Sequence, residues 1–427
     1  MKFSEFKRDI ENGVFNSLFE EIYGKNMISS SKTRYLNCLE SFSNTFKDAK
    51  NDIAVLSTPG RTEIGGNHTD HNAGFVLAAA INLDILSIVA KNGDNVIRLV
   101  SEGYAPVEMS LDDLLPREKE RSTPVSLIRG VAARMKESGY TVGGFDSYTT
   151  SMVPDGSGLS SSAAFEVQIA SIFNHLYNGG CLDNVSNACI SQYAENEYFG
   201  KPCGLMDQTT CAVGGLLQID FRDFNHPVIE PVAFDFASAG HVLYIVNTGG
   251  SHSDLTEDYT ALENEMKETA RLLGQPVLRF TSKEALFAGI KNLRENRNDR
   301  AILRAYHYFN DNERVLKQTA ALKKGDFGRF KELIIESGLS SFMYCQNIYA
   351  NSNWREQGLA IGLMIAEELL AGKGAWRVHG GGFAGTIQAF VPENLTFEFE
   401  RRMSAAFGEG TCHRALIRPR GTLCVAK

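Results

Sequence analysis

Six side chains that can bind or transform a ligand lie in one short segment of the chain. They fall within eleven positions after Pro59-Gly60 and are Arg61, Glu63, Asn67, His68, Asp70 and His71. So many hydrogen-bonding groups on one loop between apolar runs are unfavourable unless they meet a ligand or solvent. His68, Asp70 and His71 have the side-chain types of half a metal site, and a solvated loop would carry the same residues. The segment therefore predicts a binding loop without identifying its ligand.

A second segment has the composition of a phosphate-binding loop. Residues 154–162 are rich in glycine and serine, and they lead into a stretch whose apolar residues recur at helical spacing from Phe165 to Leu176. Backbone N–H groups at a helix start can bind phosphate, and glycine allows the close approach that this requires. The hydroxyls of Ser160, Ser161 and Ser162 can bond phosphate or ligate Mg²⁺. A serine-rich helix cap would have the same composition, so both interpretations remain open on local grounds.

Several other nucleotide sites are excluded by their missing motifs. The chain has no G-x-x-x-x-G-K-[ST] sequence and lacks the H-R-D, D-F-G and A-P-E set of protein kinases. Gly380-x-Gly382-x-x-Gly385 matches the dinucleotide fingerprint, but residues 386–391 predict a strand where that fingerprint needs a helix. We therefore reject a dinucleotide site there.

Composition narrows the remaining classes. The length of 427 residues predicts two or three domains, and the net charge of -8 argues against a nucleic-acid or anionic-membrane surface. The eight cysteines form no C-x-x-C pair, which disfavours zinc and disulfide frameworks. The mixed, charged start of the chain has no apolar signal region, and no uninterrupted apolar stretch approaches 18 residues, so we expect a cytoplasmic protein.

The apolar periodicity and turn signals predict the elements that position these loops. In the first part we predict helices over 1–50, a strand at 53–56 ending in the turn Thr58-Pro59-Gly60, strands over 75–90, and a hairpin turn at Asn92-Gly93 before a strand at 96–100. Further along we predict a helix over 124–137, strands at 146–153 and 242–246, a helix over 259–273, packed helices over 296–340, and a strand, glycine turn and strand over 377–391.

Four segments, taken in order, resemble the motifs of the galactokinases, within the larger family of galactose, homoserine, mevalonate and phosphomevalonate (GHMP) kinases. Residues 58–71 are similar to the signature P-G-R-V-N-L-I-G-E-H-T-D-Y, and residues 154–164 to the ATP loop P-x-G-x-G-L-S-S-S-A-A. Residues 203–208 match C-G-[IL]-M-D-Q, and residues 380–385 resemble G-G-G-F-G-G. The similarity spans about residues 50 to 427.

The resemblance implies a two-domain α/β (α+β) GHMP-kinase fold with the active site in the cleft between the domains. Residues 1–235 would form a domain like ribosomal protein S5 domain 2, and residues 236–427 a ferredoxin-like domain. The implied reaction transfers a phosphoryl group from ATP, with Mg²⁺, to the anomeric C1 hydroxyl of galactose, giving galactose 1-phosphate and ADP. The implied partners are a hexose and a nucleotide, with neither nucleic acid nor membrane, and we expect a monomer or a weak dimer.

Residue roles follow from the resemblance position by position. Catalysis falls to Asp207 and Arg61, and metal binding to Ser162 and Glu195. The residues expected to bind ATP are Gly156, Gly158, Leu159, Ser160, Ser161 and Ser162. The residues expected to hold the sugar are Asn67, His68, Asp70, Gly204 and Tyr259. Because an adjacent arginine lowers the pKa of a carboxyl group, Asp207 acts either as a base or as a group that orients the hydroxyl.

The chain also departs from the family pattern. Asn67 replaces the signature Glu, His71 replaces the following Tyr, and Thr62-Glu63 replaces Val-Asn. Pro124 and Leu127 replace the aromatic W-x-x-Y near the nucleotide base. Because position 67 contacts the sugar near C6 in the family, a neutral amide there leaves a C6-altered hexose such as galacturonate or glucuronate as an alternative substrate.

An alternative of another class is a non-catalytic galactose sensor. Such sensors lack part of the S-S-S-A-A run. In this chain residues 160–164 are complete, and Arg61 and Asp207 are both present. These residues favour the enzyme.

Overall fold

The computed structural model describes residues 1–47, 52–154, 158–250, 255–296 and 298–427, whose strands form two β-sheets. The helices are α1 Phe3–Glu11, α2 Asn16–Tyr23, α3 Ile28–Thr45, α4 Pro124–Glu137, α5 Ser161–Tyr177, α6 Asn184–Tyr193, α7 Met206–Val213, α8 Thr256–Leu272, α9 Lys283–Asn296, α10 Asp299–Lys323, α11 Phe327–Ser340, α12 Gly358–Leu370 and α13 Thr396–Phe407. The strands are β1 Ile53–Gly65, β2 Phe75–Lys91, β3 Val96–Ser101, β4 Val107–Ser110, β5 Phe145–Ser151, β6 Leu216–Asp220, β7 Val228–Pro231, β8 His241–Asn247, β9 Ala375–Val378, β10 Thr386–Pro392, β11 Cys412–Ala415 and β12 Leu423–Ala426.

The larger sheet is built on the long antiparallel pair of β1 and β2. Its strand order is β12-β1-β2-β5-β3-β4, and β6 and β7 continue from the other half of β2. Every residue of β1 is buried, including the charged Arg61 and Glu63 in its second half, so the strand is covered on both faces. Helices α5 and α7 pack against β1 and β2. This contact brings the serine-rich loop to β1, which carries the first part of the signature segment 58–71 and is called here the signature strand.

The predicted end of the first strand at Thr58-Pro59-Gly60 is wrong, because β1 continues to Gly65. The pairing of β1 with β2 shifts register between Pro59 and Arg61, so the strand passes the proline as an irregularity. Gly60 permits this course, since a Cβ at that position would lie 2.9 Å from the carbonyl oxygen of Leu159. Arg61 is therefore a strand residue that faces the serine-rich loop.

The predicted hairpin at Asn92-Gly93 is also wrong, although the chain does reverse there. Strand β5 lies between β2 and β3, antiparallel to the first and parallel to the second. The side chain of Asn92 donates to Asp146 Oδ1 at 3.0 Å, so the connection pairs with the start of β5 instead of closing a two-residue turn. A local turn signal carries no information about a strand that inserts more than fifty residues later.

The smaller sheet has the antiparallel order β11-β8-β10-β9 and packs against α12 and α13. The predicted strand, glycine turn and strand are confirmed as β9 and β10, which pair directly. Strand β10 begins directly after Gly385. A strand therefore follows the glycine cluster, as predicted, where a dinucleotide fingerprint would need a helix. The helices predicted at 1–50, 124–137, 259–273 and 296–340 are also present.

The last strand lies with the first sheet, although the predicted division placed it in the second half. Strand β12 pairs antiparallel with β1, with Cys424 opposite Leu56. Arg418, in the segment that leads to β12, is fully buried and bonds Asp84 Oδ2 at 3.2 Å. This buried charge pair brings the end of the chain back to the first sheet, and the boundary at 235 otherwise remains a prediction.

The N-terminal helices cover one face of the β1–β2 pair. Phe19, Tyr35 and Leu39 are buried in one cluster with Leu86 and Ile88 of β2. Asp84 in β2 accepts from Tyr23 and Arg34, both at 2.5 Å, so the same carboxylate holds α2 and α3 in place. Within the described ranges, every helix is too short or too polar to cross a membrane.

Candidate active site

Arg61 in β1 and Asp207 at the start of α7 form a bidentate ion pair. Arg61 Nε donates to Asp207 Oδ1 at 2.7 Å, and its Nη2 donates to Oδ2 at 2.6 Å. Arg61 is almost fully buried, whereas the Asp207 side chain is 25% exposed. Asp207 lies in the first turn of α7, where the helix dipole favours a carboxylate. The buried guanidinium therefore holds in place a carboxylate that remains partly accessible.

The environment of Asp207 keeps it ionised. Burial opposes the charge, but the adjacent guanidinium of Arg61 and its hydrogen bonds outweigh that effect and lower the pKa of Asp207. The hydroxyl of Ser160 also donates to Asp207 Oδ2. Three of the roughly four lone-pair positions of the carboxylate are thus occupied, and a fourth is left for a ligand hydroxyl.

The serine-rich loop is attached to the same pair. The carbonyl of Gly158 accepts from Arg61 Nη1, and the carbonyl of the buried Leu159 accepts from the Arg61 backbone N–H at 3.2 Å. Ser160 has φ of 58°, a left-handed conformation that turns the chain into α5 at Ser161. Gly156, predicted to bind ATP, lies outside the described residues. The loop therefore brings a helix start and the Arg61–Asp207 pair together, an arrangement that a phosphate site could use.

Gly158 also lies against the residues that flank the segment 380–385, called here the third glycine segment because it follows the glycines of the signature and of the serine-rich loop. A side chain at Gly158, whose φ is +69°, would meet Thr386 Oγ1 at 2.8 Å and His379 Nδ1 at 3.3 Å. His379 Nδ1 donates to Thr386 Oγ1 at 2.9 Å, and its Nε2 accepts from the Glu63 backbone N–H at 3.3 Å. Three of the four predicted segments therefore meet at this buried, neutral histidine.

Ser162 and Glu195, the residues predicted to bind the metal, contact each other. Ser162 is the second residue of α5, and its Oγ lies 2.9 Å from Glu195 Oε1. Glu195 is buried in the π-helical segment Ala194–Phe199, and Gln208 Nε2 donates to its Oε2 at 2.8 Å. The two oxygens are hard donors of the kind Mg²⁺ takes, and they fit a site completed by phosphate oxygens and water. Among the described residues, no three His, Cys, Asp or Glu side chains are grouped to hold a metal ion.

Asp70 and Gly204 meet at the predicted sugar end of the cleft. A Cβ on Gly204 would overlap the Asp70 carboxylate, so only glycine leaves room for this side chain. Burial, with a further contribution from the charge of Asp207, raises the pKa of Asp70 to about 7. Asp70 is thus a carboxylate that titrates near neutral pH, and the charge of Asp207 acts on it.

His68 and Tyr259 connect this end to the third glycine segment. His68 Nε2 donates to the Gly381 carbonyl at 2.8 Å, and the Tyr259 hydroxyl donates to the Gly382 carbonyl at 2.9 Å. Burial and the neighbouring His71 lower the pKa of His68 to about 3. His68 is therefore a neutral imidazole whose position is fixed by its hydrogen bond to Gly381.

Asn67 has all of its side-chain hydrogen bonds within the protein. Its Nδ2 donates to Gly380 O at 2.7 Å and to Glu63 Oε1 at 3.2 Å, and its Oδ1 accepts from Ser341 at 3.1 Å and Asn347 at 2.9 Å. It is fully buried. These four bonds use its donor and acceptor capacity. The predicted contact of Asn67 with the sugar therefore gains no support from the structure.

Several residues of the site were not identified from the sequence. Asn347, in the segment after α11, bonds both Asn67 and the Gly381 carbonyl. Arg377 in β9 is fully buried and pairs with Glu63. Lys201 Nζ lies 3.2 Å from Glu195 Oε1. Lys201 stands two positions before the C-G-L-M-D-Q segment, the only local signal for it. Asn347 and Arg377 have no such signal.

Comparisons with known families match two parts of the chain. Residues 126–215 match the GHMP kinases N terminal domain. Residues 40–91 match the galactokinase galactose-binding signature. These ranges contain the signature strand, the serine-rich loop and the segment around Asp207.

Individual relatives agree with the family models. A galactokinase of Streptomyces coelicolor is 33% identical over 342 residues, which is 79% of this chain and 84% of the relative. The crystal structure of Lactococcus lactis galactokinase complexed with galactose has a TM-score of 0.79 at 22% identity, covering 91% of this chain and 99% of that one. The mevalonate kinase of Methanococcus jannaschii has a TM-score of 0.60 at 13% identity, covering 87% and 99%. The fold is therefore shared with galactokinase and mevalonate kinase structures.

Proposed function

The chain belongs to the galactokinase family, and we propose that it transfers the γ-phosphoryl group of ATP to the anomeric C1 hydroxyl of galactose, giving galactose 1-phosphate and ADP. Family membership makes it a sugar kinase with the GHMP kinase fold. The observation that carries the specific proposal is the Arg61–Asp207 pair, bound through Ser160 to the start of α5. It brings an acceptor for a sugar hydroxyl and a phosphate-binding helix start to one place.

Asp207 orients the C1 hydroxyl in this proposal. Its lowered pKa makes it a weak base, because the carboxylate is stabilised by Arg61 before any substrate arrives. Its remaining lone-pair position can accept the C1 hydroxyl proton in a hydrogen bond and aim the oxygen at the γ-phosphorus. A loose phosphoryl transfer needs this positioning more than it needs early proton removal. The proton moves to Asp207 or to the transferred phosphoryl group as the bond forms.

The nucleotide is held by the start of α5 and by the Ser162–Glu195 site. The hydroxyls of Ser160 and Ser161 and the N–H groups of the first turn of α5 would bond the phosphates, and the carbonyls of Gly158 and Leu159 attach the loop to Arg61. Ser162 Oγ and Glu195 Oε1 would hold Mg²⁺, which when bound offsets the negative charge of the β- and γ-phosphates. Gly156 belongs to the same proposed ATP loop.

His68, Asp70, Gly204 and Tyr259 hold the sugar in this proposal. Gly204 admits the Asp70 carboxylate, which accepts from sugar hydroxyls, while His68 and Tyr259 are fixed on the third glycine segment. Asn67 contributes by bonding the signature loop to that segment. A cytoplasmic location and a monomer or weak dimer remain predictions.

The two alternatives are not favoured. The argument for a C6-altered hexose rested on a carboxylate missing at Asn67, but Glu63 places a carboxylate in the same hydrogen-bonded network and Arg377 pairs with it. The sensor alternative needs an incomplete site, whereas Arg61, Asp207 and the serines are assembled here.

The test is a coupled ADP-release assay with Mg·ATP and a sugar panel. The panel contains galactose, galacturonate, glucuronate and N-acetylgalactosamine, compared by kcat/KM, with Asp207→Ala as the inactive control. We expect galactose to give the highest kcat/KM. A higher kcat/KM on an acid sugar would support the C6-altered alternative. Sugar-dependent binding of a partner without ADP release would support the sensor.

A further inference from the structure

Lys201 places a positive charge beside the proposed metal ligand. Its Nζ lies 3.2 Å from Glu195 Oε1, the same oxygen that Ser162 contacts at 2.9 Å. The backbone N–H groups of Gly200 and Lys201 both donate to the carbonyl of Glu195, at 3.0 and 3.1 Å. The turn that follows the π-helical segment is thus fixed on Glu195, and the lysine side chain crosses back over its carboxylate.

The side chain of Lys201 is accessible to a ligand. Its side chain is 59% exposed, while Glu195 beneath it is buried. The charge of Lys201 contributes to the lowered pKa of Asp207 and acts on the Tyr259 hydroxyl as well. Lys201 therefore lies within electrostatic range of the catalytic carboxylate and of the proposed sugar site.

Arg61 supplies little positive charge to the γ-phosphoryl group, because its nitrogens are already bonded within the protein. Two of its nitrogens are bound to Asp207 and the third donates to the Gly158 carbonyl. The charge of Arg61 is largely matched by Asp207 before ATP binds. Since phosphoryl transfer spreads negative charge over the three outer oxygens of the γ-phosphoryl group, a further mobile cation would stabilise the transition state.

We propose that Lys201 is a further catalytic residue, which pairs with Glu195 in the free enzyme and donates to the γ-phosphoryl oxygens once Glu195 ligates the nucleotide's divalent cation. This inference rests on the proposed function. Glu195 Oε1 cannot neutralise Lys201 while it coordinates a cation, because that cation repels the ammonium group. A compact charge on a flexible four-carbon stem can then turn from Glu195 to the nearest phosphate oxygen.

The inference is tested by nucleotide binding in addition to turnover. Binding of the Mg²⁺ complexes of ADP and of a non-hydrolysable ATP analogue is measured by calorimetry for the wild type and for Lys201→Met. Loss of a charge-assisted hydrogen bond to the γ-phosphoryl group should weaken the analogue about 10- to 100-fold. Binding of ADP should change by less than about twofold, since a contact made only to the γ-phosphoryl group is absent from that complex.

Two further variants keep the test specific. Lys201→Arg retains the positive charge and should recover part of the preference for the analogue. Lys283→Met removes a lysine paired with Glu313 at 3.1 Å on α9 and α10, outside the site, and should leave both affinities unchanged. Thermal unfolding shows whether each variant is folded.

The outcomes separate this inference from the proposed function. Equal weakening of ADP and analogue by Lys201→Met, or no weakening of either, would overturn it, because Lys201 would then only position Glu195 or do nothing. Failure of the wild type to phosphorylate any sugar would overturn the proposed function instead. The binding comparison would still report whether Lys201 contacts the γ-phosphoryl group.

Discussion

Asn67 and Glu63 hydrogen-bond each other, with 3.2 Å between Asn67 Nδ2 and Glu63 Oε1. The family signature has Asn at position 63 and Glu at position 67, so this chain carries the two side-chain types in exchanged order. The carboxylate lies in the same buried network, where Arg377 pairs with it. The departure at Asn67 thus rearranges the hydrogen bonds inside the segment 58–71, and a carboxylate remains in that buried network.

We predict that Asn67→Ala acts on stability and not on C6 recognition. The variant removes the buried donor to the Gly380 carbonyl and one of the two acceptors of the Asn347 amide, which should lower the free energy of unfolding by about 2–4 kcal/mol. Chemical denaturation measures this loss. The ratio of kcat/KM for galactose to that for 6-deoxygalactose should stay within about twofold of the wild type, since no contact to C6 is removed. A selective loss on galactose would show that Asn67 does contact C6.

Replacement of Asp207 should separate turnover from sugar binding. Asp207→Ala removes the acceptor for the C1 hydroxyl but leaves Asp70 and Gly204 in place, so kcat should fall by about 10²- to 10⁴-fold. The sugar dissociation constant, measured by calorimetry without nucleotide, should change little by comparison. Ser160→Ala, which removes one hydrogen bond to the same carboxylate, is the milder control. Near-normal turnover by Asp207→Ala would refute the catalytic assignment.

The motif segments could be recognised from the sequence, because each one carries its own local chemistry. Their resemblance to one family predicted that they share a site. The serine run predicted a helix start, and α5 begins at Ser161. The fold around it depends on long-range contacts that no local pattern contains. The insertion of β5 beside β2 and the return of β12 to β1 join strands that are far apart in the chain. Likewise, Asn347 meets Asn67 across 280 positions, and nothing near either residue indicates the other.

Gly204→Ala should weaken sugar binding by displacing Asp70. The added methyl group would overlap the Asp70 carboxylate, so that side chain must turn away from the sugar end of the cleft. A displacement of about 1 Å in a positioning group can reduce catalytic efficiency by about 100-fold. We therefore expect KM for the sugar to rise about 10- to 100-fold, with a smaller effect on kcat.

The control for Gly204→Ala is a glycine with free space around it. Gly328→Ala is suitable, because a Cβ there would meet only Asp326 Oδ1, at 3.6 Å. Its sugar KM should equal that of the wild type. An unchanged KM in Gly204→Ala would mean that Asp70 does not need this space to bind the sugar.

Sugar binding should strengthen as pH rises through neutrality, because Asp70 has a pKa of about 7. That pKa lies above the ordinary value of an aspartate, so the free enzyme holds a proton on Asp70 at lower pH. Sugar hydroxyls donate to the ionised carboxylate, and binding must therefore release the proton below pH 7. The sugar dissociation constant should fall about tenfold between roughly pH 6 and pH 8. Calorimetry in buffers of different ionisation enthalpy measures both the affinity and the proton released.

Asp70→Asn should abolish this pH dependence, since the amide cannot titrate. His68 and His71 do not confuse the measurement, because their pKa values are lowered to about 3 and about 4 and both stay neutral over this range. Asp207 is ionised throughout, since its pKa lies below the ordinary value. A dissociation constant that is flat from roughly pH 6 to pH 8 in the wild type, or equally sloped in Asp70→Asn, would show that Asp70 does not accept from the sugar in its ionised form.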